Sequence, residues 1–365
     1  VKTALVPLER LRISRGKNHG RSALADARVD WRRAPPVLDA LLRRLTDLRL
    51  SVTDRCNFRC TYCMPRSNLG PVVGPRPQES LLSFEELTEI AAAFVDLGVR
   101  KVRITGGEPL VRRDLPRLVE QLRRLEIAEL CLTTNGSLLA AQARDLAAAG
   151  LDRVTISLDA LDEPTFQRIS DTHTRLAKVL AGIDAARASG LAPLKINMVV
   201  KRDVNEHSVV PMADWARREG LELRFIEYMD VGCSNGWRRR DVVSAREIRE
   251  RIHAHWPLEP AESHDPYAPA VRLRYRDGGG HIGLIASISE PFCRSCTRAR
   301  VSSHGEFYTC LFASSGFPLA PLLRDGSALR SAILDVWRDR SDRYSELRAA
   351  SAGAQPRPEM SAIGG

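Results

Sequence analysis

The sequence predicts an α/β protein, a partial (βα)6 barrel followed by a C-terminal layer, and three observations carry that expectation. Short apolar runs alternate with amphipathic segments six times between residues 48 and 227. Parallel neighbours need a crossover, and every crossover here reads as helical. Polar and glycine residues gather where each apolar run stops, at the rim where barrel enzymes assemble their sites.

The strands are expected at Leu48–Thr53, Lys101–Thr105, Glu129–Thr134, Arg153–Leu158, Leu194–Val200 and Leu221–Glu227. The first helix, Phe84–Leu97, opens behind a Ser83/Glu86 capping box, in which each side chain satisfies the other residue's backbone donor. Apolar spacing places further helices at Leu115–Leu125, Leu138–Ala148, Thr174–Ala188 and Glu206–Arg218. The strand ends read Thr105-Gly106-Gly107-Glu108-Pro109, Thr133-Thr134-Asn135-Gly136, Ser157 with Asp159, Asn197, and Glu227 with Met229. A site spread over so many strand ends favours barrel-like closure over an open doubly wound sheet, whose ligands sit at one switch point.

After Met229 the period is lost, leaving a helix at Ser244–His255, strands near Val271–Tyr275 and His281–Ile285, and a helix at Ala328–Arg338. The expected divisions are a flexible basic extension over residues 1–36, the barrel over 37–230, an auxiliary region over 231–340 and a flexible tail over 341–365 that ends in Gly364-Gly365. Between the first strand and first helix, Pro65, Gly70, Pro71, Gly74, Pro75 and Pro77 read as a mobile loop.

With 365 residues, 44% of them apolar and 27% charged, the chain can bury a sizeable core, which excludes disordered and fibrous classes. Its formal charge is +10, but +6 of that falls in residues 1–34, so the remainder is too weakly basic to argue for nucleic acid. Only six of the 55 basic residues are lysine, which makes each lysine an unusual choice. No apolar run is long enough to span a membrane, and the first thirty residues carry arginines where a signal peptide would be apolar; a soluble cytoplasmic protein is expected.

Six of the eight cysteines fall into two tight groups, Cys56-x3-Cys60-x2-Cys63 and Cys293-x2-Cys296-x13-Cys310. In a chain of this size such clustering points to metal ligation rather than a disulfide framework. Each trio admits two readings: a zinc site completed by a distant ligand, or an iron–sulfur cluster with one iron left open for chemistry. Six thiolates exceed the need of one centre, so two centres are expected. Cys131 lies in a strand pattern and reads as a small core residue; Cys233 is given no role.

The segment from Leu48 to Pro65, which contains Ser51-Val52-Thr53-Asp54-Arg55-Cys56, resembles the radical S-adenosylmethionine superfamily. So does Gly106-Gly107-Glu108-Pro109. Taken with Lys101-Val102-Arg103-Ile104-Thr105, with Cys293-x2-Cys296-x-Arg298-x-Arg300-x9-Cys310 and with Gly364-Gly365, the chain resembles the GTP 3',8-cyclase family of molybdenum cofactor biosynthesis from about Leu38 onward. The resemblance implies two 4Fe–4S clusters, one on Cys56, Cys60 and Cys63 and one on Cys293, Cys296 and Cys310. It implies S-adenosylmethionine against Tyr62, Gly107, Ser157 and Met229, with Glu108 near the methionyl amine. It implies GTP among Arg49, Arg103, Thr133, Lys195, Arg298 and Arg300, with Lys101 and Arg224 as additions, and Gly364 and Gly365 reaching the reaction site. A flavodoxin- or ferredoxin-type reductant, a downstream cyclic pyranopterin monophosphate synthase and a homodimer belong to the same expectation.

Elementary chemistry agrees with the nucleotide. Guanidinium forks and ammonium groups match phosphate oxygens, and a cation such as Arg103 or Lys195 on an inner barrel strand is costly unless an anion joins it. Two other readings compete. One is a radical S-adenosylmethionine peptide maturase, which usually carries more auxiliary cysteines than the three here; the other is a non-enzymatic zinc protein that binds nucleic acid through its basic extension. The family usually places Gly-Arg shortly before the first strand, where this chain has Leu42-Arg43.

Overall fold

The computed structural model describes residues 36–66, 80–262, 265, 267–323, 325–348 and 357–364. The basic extension up to residue 35, the proline-rich loop beyond Arg66, part of the tail and Gly365 lie outside the described residues.

Six parallel strands form the centre: β1 (Asp47–Ser51), β2 (Lys101–Thr105), β3 (Glu129–Thr134), β4 (Arg153–Ser157), β5 (Lys195–Val200) and β6 (Glu222–Glu227). They neighbour one another in chain order and agree with the expected bounds to within two residues. Their helices are α1 (Phe84–Asp96), α2 (Leu115–Arg123), α3 (Ala143–Ala148), α4 (Glu163–Ser170), α5 (Leu176–Ala188) and α6 (Val209–Arg218). The capping box at Ser83 and Glu86 is present. The helix expected over Leu138–Ala148 is broken into a single 3-10 turn, Leu139–Ala141, and α3. α4 went unread because it is short, although Asp162 before Glu163-Pro164 is a start signal; its carboxylate accepts from the Thr165 amide.

One face of each central strand is the core. Leu48, Leu50, Val102, Ile104, Leu130, Leu132, Ile196, Met198 and Leu223 are fully buried there. Alternation turns the other face inward. That face carries Arg49, Arg103, Thr133, Thr155, Asn197 and Arg224, which line a cavity rather than the packed interior of an ordinary eight-stranded barrel.

The C-terminal residues supply β7 (Leu258–Pro260), β8 (Val271–Tyr275), β9 (His281–Ile285), β10 (Arg298–Val301), β11 (Glu306–Tyr308) and β12 (Phe317–Pro318). The layer expected over the barrel instead extends the sheet itself. β10 pairs in parallel with β1, and β9 in parallel with β6, in a twelve-stranded order β12-β11-β10-β1-β2-β3-β4-β5-β6-β9-β8-β7. The physical reason is that a half-closed six-stranded sheet leaves backbone donors and acceptors open along β1 and β6, and these strands satisfy them. Four further helices are α7 (Ala245–His253), α8 (Gly326–Arg338), α9 (Tyr344–Leu347) and α10 (Met360–Ile363). Among the described residues no helix is long and apolar enough to cross a membrane.

Leu42, which stands where the resemblance leads to an expected glycine, is exposed and holds φ at +61°, a left-handed conformation that glycine adopts freely. The next residue, Arg43, is buried against Asp39 through a 2.6 Å ion pair and donates to the carbonyl of Cys293 at 3.0 Å. The departure from the family pattern therefore keeps the turn and the arginine that the turn delivers.

Candidate active site

Strands β1 to β6, β9 and β10 together wall a cavity of about 140 Å³ that also receives Cys293, Cys296, Cys310 and Met229. Seven guanidiniums line it, from Arg43, Arg49, Arg103, Arg224, Arg298, Arg300 and Arg340, against a single carboxylate, Asp342. Arg43 and Arg340 are matched by Asp39, and Arg224 by Glu222 at 2.9 Å. Among the described residues Arg103 donates to the hydroxyls of Thr133 and Thr155, each at 3.1 Å, and pairs with no carboxylate. Burial, then Arg300 and Arg103, holds Arg49 well below the usual guanidinium range, and burial followed by Arg298 brings Arg300 down to about 10. Burial and neighbouring cations both disfavour these two charges, and an anion in the cavity would favour them.

The second cysteine trio opens onto this cavity. Burial works against the Cys296 thiolate, but Arg298 and Arg340 outweigh it and bring the thiol down to about 6, with Arg298 Nη2 3.5 Å from the sulfur. Burial, then Asp342, pushes Cys310 up to about 11. The loop is braced from behind, since Arg43 and Arg340 donate to the carbonyls of Cys293 and Cys296.

The first trio lies on the loop after β1, all three thiols partly buried. Burial raises Cys56 to about 11, and it lifts Cys60 well above the usual thiol range, with Asp159, Cys63 and Cys56 adding to the effect. Among the described residues no three His, Cys, Asp or Glu side chains converge as a cage for one metal ion. Three thiols within eight residues fit a cubane, where each thiolate would bind a different iron and one iron would stay open.

The residues expected around S-adenosylmethionine have internal reasons to be where they are. The Tyr62 hydroxyl donates to Asp159 at 2.9 Å, and both are buried. A Cβ on Gly107 would stand 2.2 Å from the Arg55 carbonyl oxygen, and one on Gly106 2.2 Å from that of Thr53, so the glycine pair lets the cysteine loop pack on β2. Glu108, raised to about 7 by burial, accepts from the Leu110 and Asn135 amides and the Thr134 hydroxyl and so braces that turn. Ser157 ends β4 in register with Asn197, whose buried side-chain oxygen has no hydrogen-bond partner among the described residues.

Lys101 and Lys195 lie away from the cavity, at the amino ends of their strands. Lys101 pairs with Glu129 at 3.1 Å and Lys195 with Glu222 at 3.0 Å, so the charge expected to need an external anion at Lys195 has a carboxylate beside it. Both line a second cavity of about 480 Å³ at the strand beginnings, which shares Arg49, Arg103, Arg224 and Arg298 with the first. Cys131 is fully buried, as a core residue should be. Gly364 lies beside Thr105, whose Cγ2 would be 2.2 Å from a Cβ at that position, and its carbonyl accepts from Arg300.

Sequence reasoning missed Arg43, Arg340, Asp39 and Thr155. Thr155 was findable, since it sits opposite Thr133 in register and shares its inward face. Arg340 and Asp39 carry no local signal; only the fold brings them to the cysteine loop.

Two family models match the chain, the Radical SAM superfamily over residues 50–216 and Molybdenum Cofactor Synthesis C over residues 221–346. The GTP 3',8-cyclase of Acidothermus cellulolyticus is 56% identical over 322 residues, 86% of this chain and 89% of that protein. The chain belongs to the GTP 3',8-cyclase family. The GTP 3',8-cyclase of Xanthomonas campestris pv. campestris is 48% identical over 91% of this chain and 98% of its own length, and that of Staphylococcus epidermidis 44% identical over 86% and 93%. Among solved structures, Streptococcus suis SuiB bound to S-adenosylmethionine aligns with a TM-score of 0.60 at 16% identity, over 84% of this chain and 69% of that one. At that identity SuiB shares the fold, and the cyclase family accounts for the sequence.

Proposed function

We propose that the chain is a radical S-adenosylmethionine GTP 3',8-cyclase, a lyase that converts GTP to (8S)-3',8-cyclo-7,8-dihydroguanosine 5'-triphosphate for molybdenum cofactor biosynthesis. The observation that carries the substrate is the gathering of seven guanidiniums, of which Asp39 and Glu222 match three, in a cavity that also receives three cysteines. The thiol sets fit the groups the family uses: Cys56, Cys60 and Cys63 would hold one 4Fe–4S cluster, and Cys293, Cys296 and Cys310 a second. When bound and given an electron by the donor, the first cluster and S-adenosylmethionine would supply the radical that removes the 3' hydrogen of GTP; closure of C3' on C8 of the guanine would then take up one further electron and a proton.

The chain's own part is to bind, orient and exclude water. Arg49, Arg103, Arg224 and Arg298, common to both cavities, are placed to take the triphosphate, with Lys101 and Lys195 beyond them and Arg300 and Thr133 on the cavity wall. The guanine then lies toward Cys293, Cys296 and Cys310. S-adenosylmethionine lies on the first cysteine loop against Tyr62, Gly107, Ser157 and Met229, and Met229 reaching the same cavity supports that end of the arrangement. Gly364, with Gly365 after it, faces the site from the Arg300 side. An electron donor of flavodoxin or ferredoxin type, a downstream cyclic pyranopterin monophosphate synthase and a homodimer complete the proposal.

Anaerobic reconstitution followed by product analysis with GTP and S-adenosylmethionine tests it. The cyclised nucleotide is expected, and Cys296→Ala is expected to retain half the iron of the unaltered chain. Consumption of a peptide without GTP would favour a maturase, and zinc without iron or sulfide would remove the radical reading.

A further inference from the structure

The loop after β6 is tied in two directions. On one side Asn235 Nδ2 donates to the carbonyls of Tyr62 at 3.3 Å and Met229 at 3.0 Å, which fixes the loop to the first cysteine group. On the other, the amides of Cys233 and Ser234 both donate to Oε1 of Glu359, at 3.0 and 3.1 Å. Glu359 is buried, and Gly232 makes room for it: a Cβ there would stand 2.2 Å from Oε2 and 2.6 Å from Cδ.

Beyond Glu359 comes α10, a four-residue turn that ends in the fully buried Ile363 and in Gly364. A single turn has no stability of its own, so its place depends on contacts with the rest of the chain. Ser361 Oγ lies 3.7 Å from the Met64 sulfur, and the Gly364 carbonyl takes Arg300. The Arg357 amide donates to the Cys233 sulfur at 3.2 Å. Of these contacts, only the one at Glu359 sets a buried carboxylate on two backbone donors, the strong class of hydrogen bond.

We propose that Glu359, seated over Gly232 and bonded to the Cys233 and Ser234 amides, is the positioning residue that holds Gly364 against Arg300 and Thr105. This rests on the reading that the cavity is the reaction site. The test uses the full chain, reconstituted anaerobically, as Glu359→Ala and Glu359→Gln, with hydrogen exchange of residues 357–364 and steady-state kinetics read together. Glu359→Ala is expected to speed exchange there about tenfold or more, since two charge-assisted bonds are lost. It should lower kcat by a similar factor while the KM for GTP moves little. Glu359→Gln keeps an oxygen for both amides and should restore protection and most of kcat. Unchanged exchange in Glu359→Ala overturns the proposal, as does a Gln variant no better than Ala. Faster exchange with undiminished turnover upholds the seat and instead refutes a part for Gly364 in the reaction.

Discussion

Replacing Gly107 with alanine separates two reasons for a glycine at that position. The added Cβ would stand 2.2 Å from the Arg55 carbonyl oxygen, 2.6 Å from its carbon and 3.0 Å from the Asp54 oxygen, all backbone atoms that no rotamer change can clear. Carbon–oxygen contacts ordinarily begin near 3.3 Å, so the loop that leads into Cys56 must retreat by about 1 Å. Overpacking of that kind costs about 1–3 kcal/mol. The retreat also loosens the 2.8 Å bonds from the Gly107 amide to Thr53 and from the Glu108 amide to Arg55, at about 1 kcal/mol each, for a total of about 3–5 kcal/mol. Urea unfolding and iron content after anaerobic reconstitution measure the outcome. The expected result is a lowered midpoint together with loss of the iron held by Cys56, Cys60 and Cys63. An alanine variant with full iron and unaltered midpoint but weakened S-adenosylmethionine binding would refute the packing argument and leave the ligand as the reason for the glycine.

Other outcomes follow from the same geometry. Arg103→Met removes a guanidinium that charge-assisted bonding to phosphate would use, so GTP binding measured by calorimetry should weaken about ten- to a hundredfold, and Arg103→Lys should not restore it because the planar fork is lost. Leu42→Gly should raise the urea-derived stability by about 0.5–1 kcal/mol: the exposed leucine at φ +61° gives up almost no packing, and the relief of left-handed strain exceeds the entropy cost of glycine. Burial lifts Asp159 to about 6 from an ordinary 3.8, against the bonds it accepts from the Val199 amide and the Tyr62 hydroxyl. The folded state therefore holds the proton more tightly; that contribution, about 3 kcal/mol, is complete below about pH 4 and lost as pH rises through 6. Asp159→Asn should flatten the stability profile between about pH 4 and 6, and an unaltered slope would show that another group titrates there.

Local pattern sufficed for much of this protein. Alternation and flanking polar residues placed the six central strands, because a strand buried on its helix side must show its apolar face in sequence wherever it packs. The spacing of Cys56, Cys60 and Cys63 pointed to metal chemistry because thiolates seven residues apart or fewer can meet without help from the fold, whereas Cys310, 14 residues beyond Cys296, needs the fold to join its group. What the sequence could not show was assembled from distant segments. β10, β11 and β12 are only two to four residues long, and they exist as strands because the edge beside β1 offers them backbone partners. The inward-facing cations were visible as residues, but their carboxylates were not: Glu129 and Glu222 claim Lys101 and Lys195, while Arg103 is left with hydroxyls. Whether a buried cation awaits a ligand or already has its counter-charge depends on contacts across strands, and only the folded chain decides it.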